Sequence, residues 1–259
     1  MELKKLFLSI VVVGMIGTAA LAVAPIGPPV ANLAEGQYAV GVSYTMSNLE
    51  VEMADAVVTN VGQKPVQNVE AMGYFGHIGY GISDTWCAHV ALGMSEFEAE
   101  ADSIPVGGDD FDGDSKFTYA ISTKKTLHDN GTDTKWGIAF QYMKGSSKDT
   151  VSSNSSFGNG SFTTGGPATI DVDWHLMQLA MGPSIQVNPD VCVYGGPFLM
   201  FLEGDARAFS AVKVEVEQEF ELGGFIGTVI NLGGNAGLNL EFLFMSESWG
   251  AGVGVMFPL

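Results

Sequence analysis

Four glutamates alternate with apolar residues in the stretch VKVEVEQEFEL, which runs from Val212 to Leu222. They are Glu215, Glu217, Glu219 and Glu221. Because successive side chains of a β-strand point to opposite faces, the four carboxylates share one face and the apolar side chains share the other. Crowded carboxylates attract cations and exclude anions. The stretch predicts a strand with one face in an apolar environment and the other in water. The acidic face is either part of a cation-attracting opening or a plain solvated surface.

A second acidic stretch, from Glu96 to Asp114, contains no basic residue. Asp110, Asp112 and Asp114 have the one-three-five spacing of a calcium-binding loop. The glycine, however, comes at Gly113 rather than in the sixth position of such a loop, and the twelfth position is not glutamate. The spacing predicts either loosely bound Ca²⁺ or Mg²⁺ or an acidic, soluble external loop. No other cofactor is indicated.

Two groups of histidines and carboxylates bear on catalysis. The stretch DVDWH places Asp171, Asp173 and His175 on one face of a strand, where a carboxylate can orient the imidazole as a general base. His77 and His89 lie on neighbouring predicted strands, but no third metal ligand accompanies them, so they are interpreted as polar filler. The chain has no Gly-x-Ser-x-Gly motif, phosphate loop or Cys-His arrangement. The sequence predicts a protein that is not an enzyme.

These residues are positioned by a series of alternating segments, each typical of a β-strand with one apolar face. Almost no amphipathic-helix pattern accompanies them. The ten predicted strands are Gln37–Glu52, Asn68–Ser83, Trp86–Ala99, Lys116–Leu127, Lys135–Lys144, Ile170–Val187, Val191–Glu203, Val212–Asn231, Ala236–Met245 and Trp249–Phe257. Pro183 and Pro197 interrupt two of them, where we expect a bulge or an edge. A count of eight or twelve strands remains an alternative.

The connections between these segments alternate between long and short in all but the last case, which is short. An outer-membrane β-barrel has short periplasmic turns and longer external loops, whereas a β-sandwich has no reason to sort its loops by end. The pattern therefore predicts an all-β fold, a transmembrane antiparallel up-and-down barrel. A soluble, exported β-sandwich is the alternative.

The two faces of the predicted strands differ in character. One face is apolar and has Tyr or Trp at its ends, as Tyr38 and Tyr44 show, which is typical of the aromatic girdles at a membrane interface. The other face is rich in small residues, which leaves room for water in the lumen. The larger polar residues predicted to face the lumen are His77, His89, Lys124, Gln141 and Glu241.

The N-terminal residues have the three regions of a secretory signal peptide: two lysines, an apolar run from Leu6 to Ile16, and small residues before a cleavage site. We predict a signal peptide at residues 1–22, with cleavage after Ala24 as the alternative. Residues 23–36 are then predicted to be an N-terminal periplasmic segment, and residues 37–259 the barrel domain.

The C-terminal stretch WGAGVGVMFPL alternates to its end and, together with the strand and loop pattern, resembles small bacterial outer-membrane β-barrel proteins. In that group the final strand is an assembly signal that usually ends in an aromatic residue; here Leu259 is last and Phe257 precedes it by two positions. The resemblance implies location in the outer membrane, contact with its lipid, and assembly by the barrel-assembly machinery. The group of proteins that the chain resembles also includes the omptin proteases. Their active-site pattern needs a further acid-histidine couple, which this sequence lacks.

The composition of the chain limits the kinds of molecule that it can bind. The chain has 11 Lys and Arg against 29 Asp and Glu and a net charge of −18, which argues against nucleic acid as a partner. Cys87 and Cys192, the two cysteines, either form one bridge or remain free thiols. We expect a narrow, cation-preferring channel for small cations or small solutes, or a structural barrel with an acidic external mouth. A surface binding or adhesion protein that acts through its long loops is the alternative.

Overall fold

Ten antiparallel strands form a closed barrel, as predicted. The computed structural model describes residues 25–54, 66–99, 111–151, 156–157, 160–161, 168–208, 212–234 and 236–259. The wall strands are β1 (Tyr38–Ala54), β2 (Val66–Ser83), β3 (Trp86–Ala99), β4 (Lys116–Asp129), β5 (Thr134–Val151), β6 (Ala168–Asn188), β7 (Val191–Ala208), β8 (Val212–Gly233), β9 (Ala236–Phe244) and β10 (Trp249–Pro258). Each strand pairs with its sequence neighbours, and β10 pairs with β1 to close the wall. Within the described ranges no helix is long and apolar enough to cross a membrane.

The barrel has a turn end and a loop end. The connections at the turn end are short, for instance Asp84–Thr85 between β2 and β3 and residues 130–133 between β4 and β5. In the second of these turns Asp129 accepts a hydrogen bond from the Gly131 N–H at 3.0 Å, and its hydrogen bond to Lys135 lowers the pKa of the Asp129 carboxyl. The longer connections lie at the opposite end. In outer-membrane barrels the short turns face the periplasm.

An apolar belt surrounds the barrel on its outer face. Val42, Ile78, Leu92 and Ile121 are among its members, and each is 42% exposed or more. Tyrosines pair across neighbouring strands at both edges of the belt. The ring centroids of Tyr38 and Tyr80 are 4.9 Å apart near the turn end, and those of Tyr44 and Tyr74 are 4.9 Å apart toward the loop end. This arrangement matches a wall that faces lipid between two polar interfaces.

The strands toward the loop end are longer than the sequence pattern predicted. β5 was expected to end at Lys144 and β7 at Glu203, but they end at Val151 and Ala208. The predicted ends lie where the apolar belt stops and the outward side chains become polar. Backbone pairing continues beyond that level because ladder hydrogen bonds do not require an apolar face.

Above the short β9–β10 hairpin, toward the loop end, the wall loses two strands. β10 begins at Trp249, which pairs with Asn48 of β1. Further along, β1 pairs directly with β8, with Glu52 opposite Glu217. The barrel is therefore ten-stranded across the apolar belt and eight-stranded at its loop end, which accounts for the short connection between β9 and β10.

The two prolines share one interruption of the β6–β7 ladder. Pairing stops after Tyr194–Ser184 and resumes at Phe198–Ala180 in the same register, so the gap contains both Pro197 and Pro183. Proline has no N–H to donate to a ladder, and the gap places both where no donor is required. The expected irregularity is thus a local loss of pairing rather than an inserted residue.

The lipid-facing assignment predicts the effect of a buried charge. Val42→Arg puts a guanidinium in the middle of the apolar belt and is expected to lower the free energy of unfolding by about 2–4 kcal/mol. Thr150→Arg, at an exposed position of the loop end, is the matched control and should change it by less than about 1 kcal/mol. Unfolding by guanidinium chloride in lipid vesicles measures the free energy of unfolding of both variants. Equal effects of the two substitutions would contradict a membrane belt at Val42.

Candidate functional site

The chain's own N-terminal segment lies inside the turn-end half of the lumen. Residues 25–36, here called the plug, run inside the barrel, and Ile26, Val30 and Leu33 are at most 7% exposed. The segment, as residues 23–36, was predicted to be periplasmic, and no position inside the barrel was predicted for it. It lies inside because the lumen-facing glycines, interpreted from sequence as room for water, leave the volume that the plug occupies.

Glu241 of β9 holds the inner end of the plug. The backbone N–H groups of Ile26 and Gly27 donate to its two carboxylate oxygens, each at 2.8 Å. Gly27 has a φ of +71°, a left-handed conformation that favours glycine. The Tyr194 hydroxyl lies 2.8 Å from Glu241 Oε2 and 2.6 Å from Asn239 Oδ1. Glu241 is 4% exposed. Two backbone N–H groups and the Tyr194 hydroxyl surround its buried carboxylate, as is usual for a buried polar group.

Wall glycines make the space for the plug backbone. A Cβ at Gly137 would overlap Pro29 and Val30 of the plug, and a Cβ at Gly252 would overlap the Pro25 ring. Gly81 is in the same situation at the turn-end opening, where its Cβ would overlap the backbone of Ala34. Lumen-facing glycine is therefore a packing requirement of the plug at these positions.

Further hydrogen bonds fix the outer part of the plug. The Ala31 N–H donates to Thr126 Oγ1 at 3.1 Å, and the Cys87 thiol lies 3.4 Å from Asn32 Oδ1. At the turn-end opening of the barrel, the Gly36 N–H donates to the Gly81 carbonyl at 2.9 Å. Both cysteines are free thiols, and Cys87 is buried. The plug is thus bonded to the wall along its whole described length.

The polar residues predicted for the lumen line a cavity beside the plug. The cavity has a volume of about 540 Å³, and His77, His89, Lys124 and Gln141 are part of its wall. His77 Nε2 lies 2.7 Å from Ser43 Oγ, and His89 Nε2 lies 3.5 Å from the Cys87 thiol. Gln141 donates to Gln178 Oε1 at 3.1 Å. In the described part of the chain no three His, Cys, Asp or Glu residues come together as a metal site.

The loop-end half of the lumen is filled by apolar side chains, here called the apolar core. Its members come from strands around the whole barrel, and the central ones are Phe75, Met143, Leu176, Phe198, Met200, Phe225 and Leu243, each at most 3% exposed. From the sequence, mainly small residues and water were expected there. The apolar core was missed because these strands carry apolar residues on both faces at this level.

The predicted acidic mouth lies mostly outside the described side chains. Glu221 is half-buried and pairs with Met200, a member of the apolar core. Glu215 and Glu217 are opposite Asp205 and Glu203 in the β7–β8 ladder, and that ladder shifts register between Met200 and Leu202. The side chains of Glu215, Glu217 and Glu219 lie outside the described residues, so the acidic mouth stays a prediction.

The other predicted acidic residues are paired or undescribed. Asp110 lies outside the described residues. The Asp112 N–H donates to Asp149 Oδ2 at 3.0 Å, and the Asp114 carboxylate forms an ion pair with Lys116 at 3.0 Å. The possible weak metal site therefore remains a prediction, with one of its three carboxylates already bound to a lysine.

Asp171, Asp173 and His175 share one face of β6, as the alternation predicted, but each has a different partner. Asp171 pairs with Lys148 at 3.2 Å, Asp173 with Arg207 at 3.5 Å and His175 with Glu203 at 3.2 Å. The residues between them, Val172 and Trp174, are buried, so the acidic and histidine side chains point away from the lumen. No hydrogen bond joins His175 to either aspartate among the described residues.

Comparison with known proteins supports the fold. The chain matches no protein-family model and no curated protein. It is similar to the outer-membrane protease OmpT of Escherichia coli, with a TM-score of 0.53, 11% identity, and coverage of 86% of this chain and 97% of that one.

Two further solved barrels are similar at lower scores. The COG4313 outer-membrane channel of Pseudomonas putida F1 has a TM-score of 0.46 at 11% identity, over 92% of this chain and all (100%) of that one. The attachment invasion locus protein Ail of Yersinia pestis has a TM-score of 0.32 at 11% identity, over 86% of this chain and 99% of that one. At these identities the likeness concerns the fold alone. The chain therefore has the closed β-barrel fold of these outer-membrane proteins.

The contacts of Glu241 predict how the plug is released. Glu241→Gln leaves one acceptor oxygen where two backbone N–H groups now donate to a carboxylate. Hydrogen bonds to a charged group contribute about 1.5–3 kcal/mol, so the undocked fraction of the plug should rise by roughly 10- to 100-fold. Brief proteinase K digestion followed by mass spectrometry of the N-terminal fragments measures this. Equal protection of residues 25–36 in both proteins would contradict the assignment.

A matched pair of glycine substitutions tests the packing of the plug. Gly137→Ala is expected to expel the plug because its Cβ would overlap plug backbone, whereas Gly237→Ala meets only Val229 Cγ1 at 3.4 Å, an ordinary contact. The same digestion should cut the plug in the first variant and not in the second. The barrel should remain folded in both, which migration of unheated samples on a denaturing gel reports.

Proposed function

We propose that this outer-membrane β-barrel is closed to ions in its resting state and is a structural barrel whose function lies at its loop end, on the cell surface. The observation that carries this proposal is the double filling of the lumen. The plug occupies the turn-end half, and the apolar core occupies the loop-end half. An open channel needs both to be removed.

The energetics of ion transfer favour a closed barrel. An ion that enters the apolar core loses its hydration water and meets few polar groups in return, among them the buried Gln178, which contacts Met200. Its transfer into the core is therefore costly. Phe198, Met143 and Leu243 are fully buried there, at 0% exposure. Hydrophobic constrictions of this kind gate channels even without a plug. The small cations predicted as partners then meet the acidic loop end and do not cross the lumen.

The loop end supports a role at the cell surface because the wall rises well above the apolar belt. β5 continues from Tyr142, at the edge of the belt, to Val151. At about 3.3 Å per residue this is roughly 30 Å of strand. The raised wall is cross-linked on its outer face by ion pairs that join Lys148 to Asp171 and Arg207 to Asp173. Each exposed pair contributes little, but together they favour one arrangement of the strands.

A non-enzymatic role is part of the proposal. The likeness to OmpT concerns the fold. On the outer face of the wall, Asp171 and Asp173 are each held by a separate ion pair, and His175 contacts Glu203. A general base needs its orienting carboxylate within hydrogen-bond reach. His175 has Glu203 at 3.2 Å, but both side chains lie on the outer surface rather than in a cleft. The partners in this account are outer-membrane lipid and, during biogenesis, the barrel-assembly machinery.

Surface binding through the loops is the second candidate, and the raised wall is the observation that favours it. Replacing residues 152–167 by a short Gly-Ser turn should leave the barrel folded. It should abolish the adhesion of cells that display the protein to plates coated with extracellular matrix. Unchanged adhesion would remove this candidate and leave the structural role.

Conductance in planar bilayers tests the closed lumen. The wild-type protein is expected to give no current steps. A variant that lacks residues 25–33 should also be silent, because the apolar core remains. Adding Phe75→Ser, Phe198→Ser and Phe225→Ser to that deletion should produce discrete steps, since the constriction is then polar.

Each protein in this series must be shown to be folded by its migration in unheated gels. Cation-selective steps from the wild type would contradict the proposal and support a channel. Steps from the deletion alone would mean that the plug, and not the apolar core, is the barrier.

A further inference from the structure

Lys124 is a buried cation without a bonding partner. Its side chain lies on the lumen face of β4 and is 6% exposed. Neither a hydrogen bond nor an ion pair from its Nζ is found in the part of the chain that the structure describes. Its neighbour Lys125 faces the opposite side of the strand and is exposed, as is usual for lysine. A buried ammonium is costly unless it is paired and hydrogen-bonded.

The nearest carboxylate does not fill this need. Glu241 is close enough to interact electrostatically with Lys124, but its two oxygens already accept from the Ile26 and Gly27 N–H groups and contact the Tyr194 hydroxyl. Lys124 Nζ lies 2.8 Å from where a Cβ of Gly27 would stand, so it borders the plug residue whose N–H is bonded to Glu241. In the part of the chain that the structure describes, no ion pair joins Lys124 to Glu241.

Lys124 instead borders the cavity of about 540 Å³ beside the plug. The wall has polar groups, including Ser122, Asn239, His77 and His89. Apolar residues, among them Val30 of the plug, Val229 and Met256, contribute most of the remaining wall. The cavity reaches the exposed residues of the turn end, among them Gln186 and Asn231, so a solute has a path from that side.

We propose that this cavity is a binding site for a small monocarboxylate with an apolar chain, whose carboxylate pairs with Lys124. The cavity is within the size range of small-molecule sites, which combine mainly apolar walls with a few polar groups that fix orientation. The carboxylate supplies the counter-charge and acceptor that Nζ lacks, and the apolar chain lies along Val229 and Met256. The site is reached from the periplasmic side and does not depend on the proposed function at the loop end.

Equilibrium dialysis with radiolabelled hexanoate tests the site, using full-length mature protein in lipid nanodiscs and protein-free nanodiscs as the blank. Wild type and Lys125→Met should bind hexanoate with the same affinity. Lys124→Met should bind at least tenfold more weakly. Ser122→Leu, which keeps Lys124 but fills the cavity, should also lose binding. Hexanamide, the neutral analogue, should bind the wild type at least tenfold more weakly than hexanoate.

Several outcomes would overturn the assignment. Equal affinity of the Lys124→Met and Lys125→Met variants would place any binding elsewhere, as would unchanged binding by Ser122→Leu. Equal affinity for hexanoate and hexanamide would mean that the site recognises a polar acceptor without regard to charge. Absence of binding above the protein-free blank would mean that water alone occupies the cavity. Any of these results leaves the closed lumen unaffected, because bilayer conductance tests it separately.

Discussion

The pairing of the Glu241 carboxylate with the backbone of the plug is the interaction on which the inside of this barrel depends. A chain segment without secondary structure exposes its N–H and C=O groups, and at membrane depth these are tolerated only where protein or water satisfies them. Glu241 accepts from two consecutive N–H groups, and Tyr194 approaches the same carboxylate. Such an arrangement stabilises the buried carboxylate and the irregular backbone together.

The composition of the wall follows from this arrangement. The plug passes so close to β2, β5 and β10 that only glycine fits at Gly81, Gly137 and Gly252. Glycine in a strand interior carries a cost, because it has no side chain to pack. Here the plug supplies that packing, and the strands gain a filled interior. Above the plug the wall residues become large and apolar, so the lumen closes by ordinary side-chain packing.

Much of the wall was predictable from the sequence. Strict alternation across the apolar belt indicated each strand, and the sorting of short and long connections indicated an up-and-down barrel. Alternation also placed Asp171, Asp173 and His175 on one face. Their separate ion pairs were beyond reach, because the partners come from neighbouring strands whose register no local pattern fixes.

The filling of the lumen was not predictable in the same way. The plug has no periodicity of 2 or 3.6, and the sequence PIGPPVANLAEG indicates an irregular segment without saying where it lies. The apolar core escaped because residues such as Phe75 and Phe198 stand where both faces of a strand are apolar. The acidic mouth was inferred from unbroken alternation along β8, but the register shift between Met200 and Leu202 interrupts the ladder there.

A single engineered disulfide tests the central claim that residues 25–36 lie inside the barrel. The Cys87 thiol is 3.4 Å from Asn32 Oδ1, so Asn32→Cys should form a disulfide with the native Cys87 under mild oxidation of the folded protein. Peptide mass spectrometry should find this cross-link in the Asn32→Cys variant and lose it when Cys87→Ser is added. If Asn32→Cys remains a free thiol that reacts rapidly with a water-soluble maleimide, the plug is outside the barrel and the account is wrong.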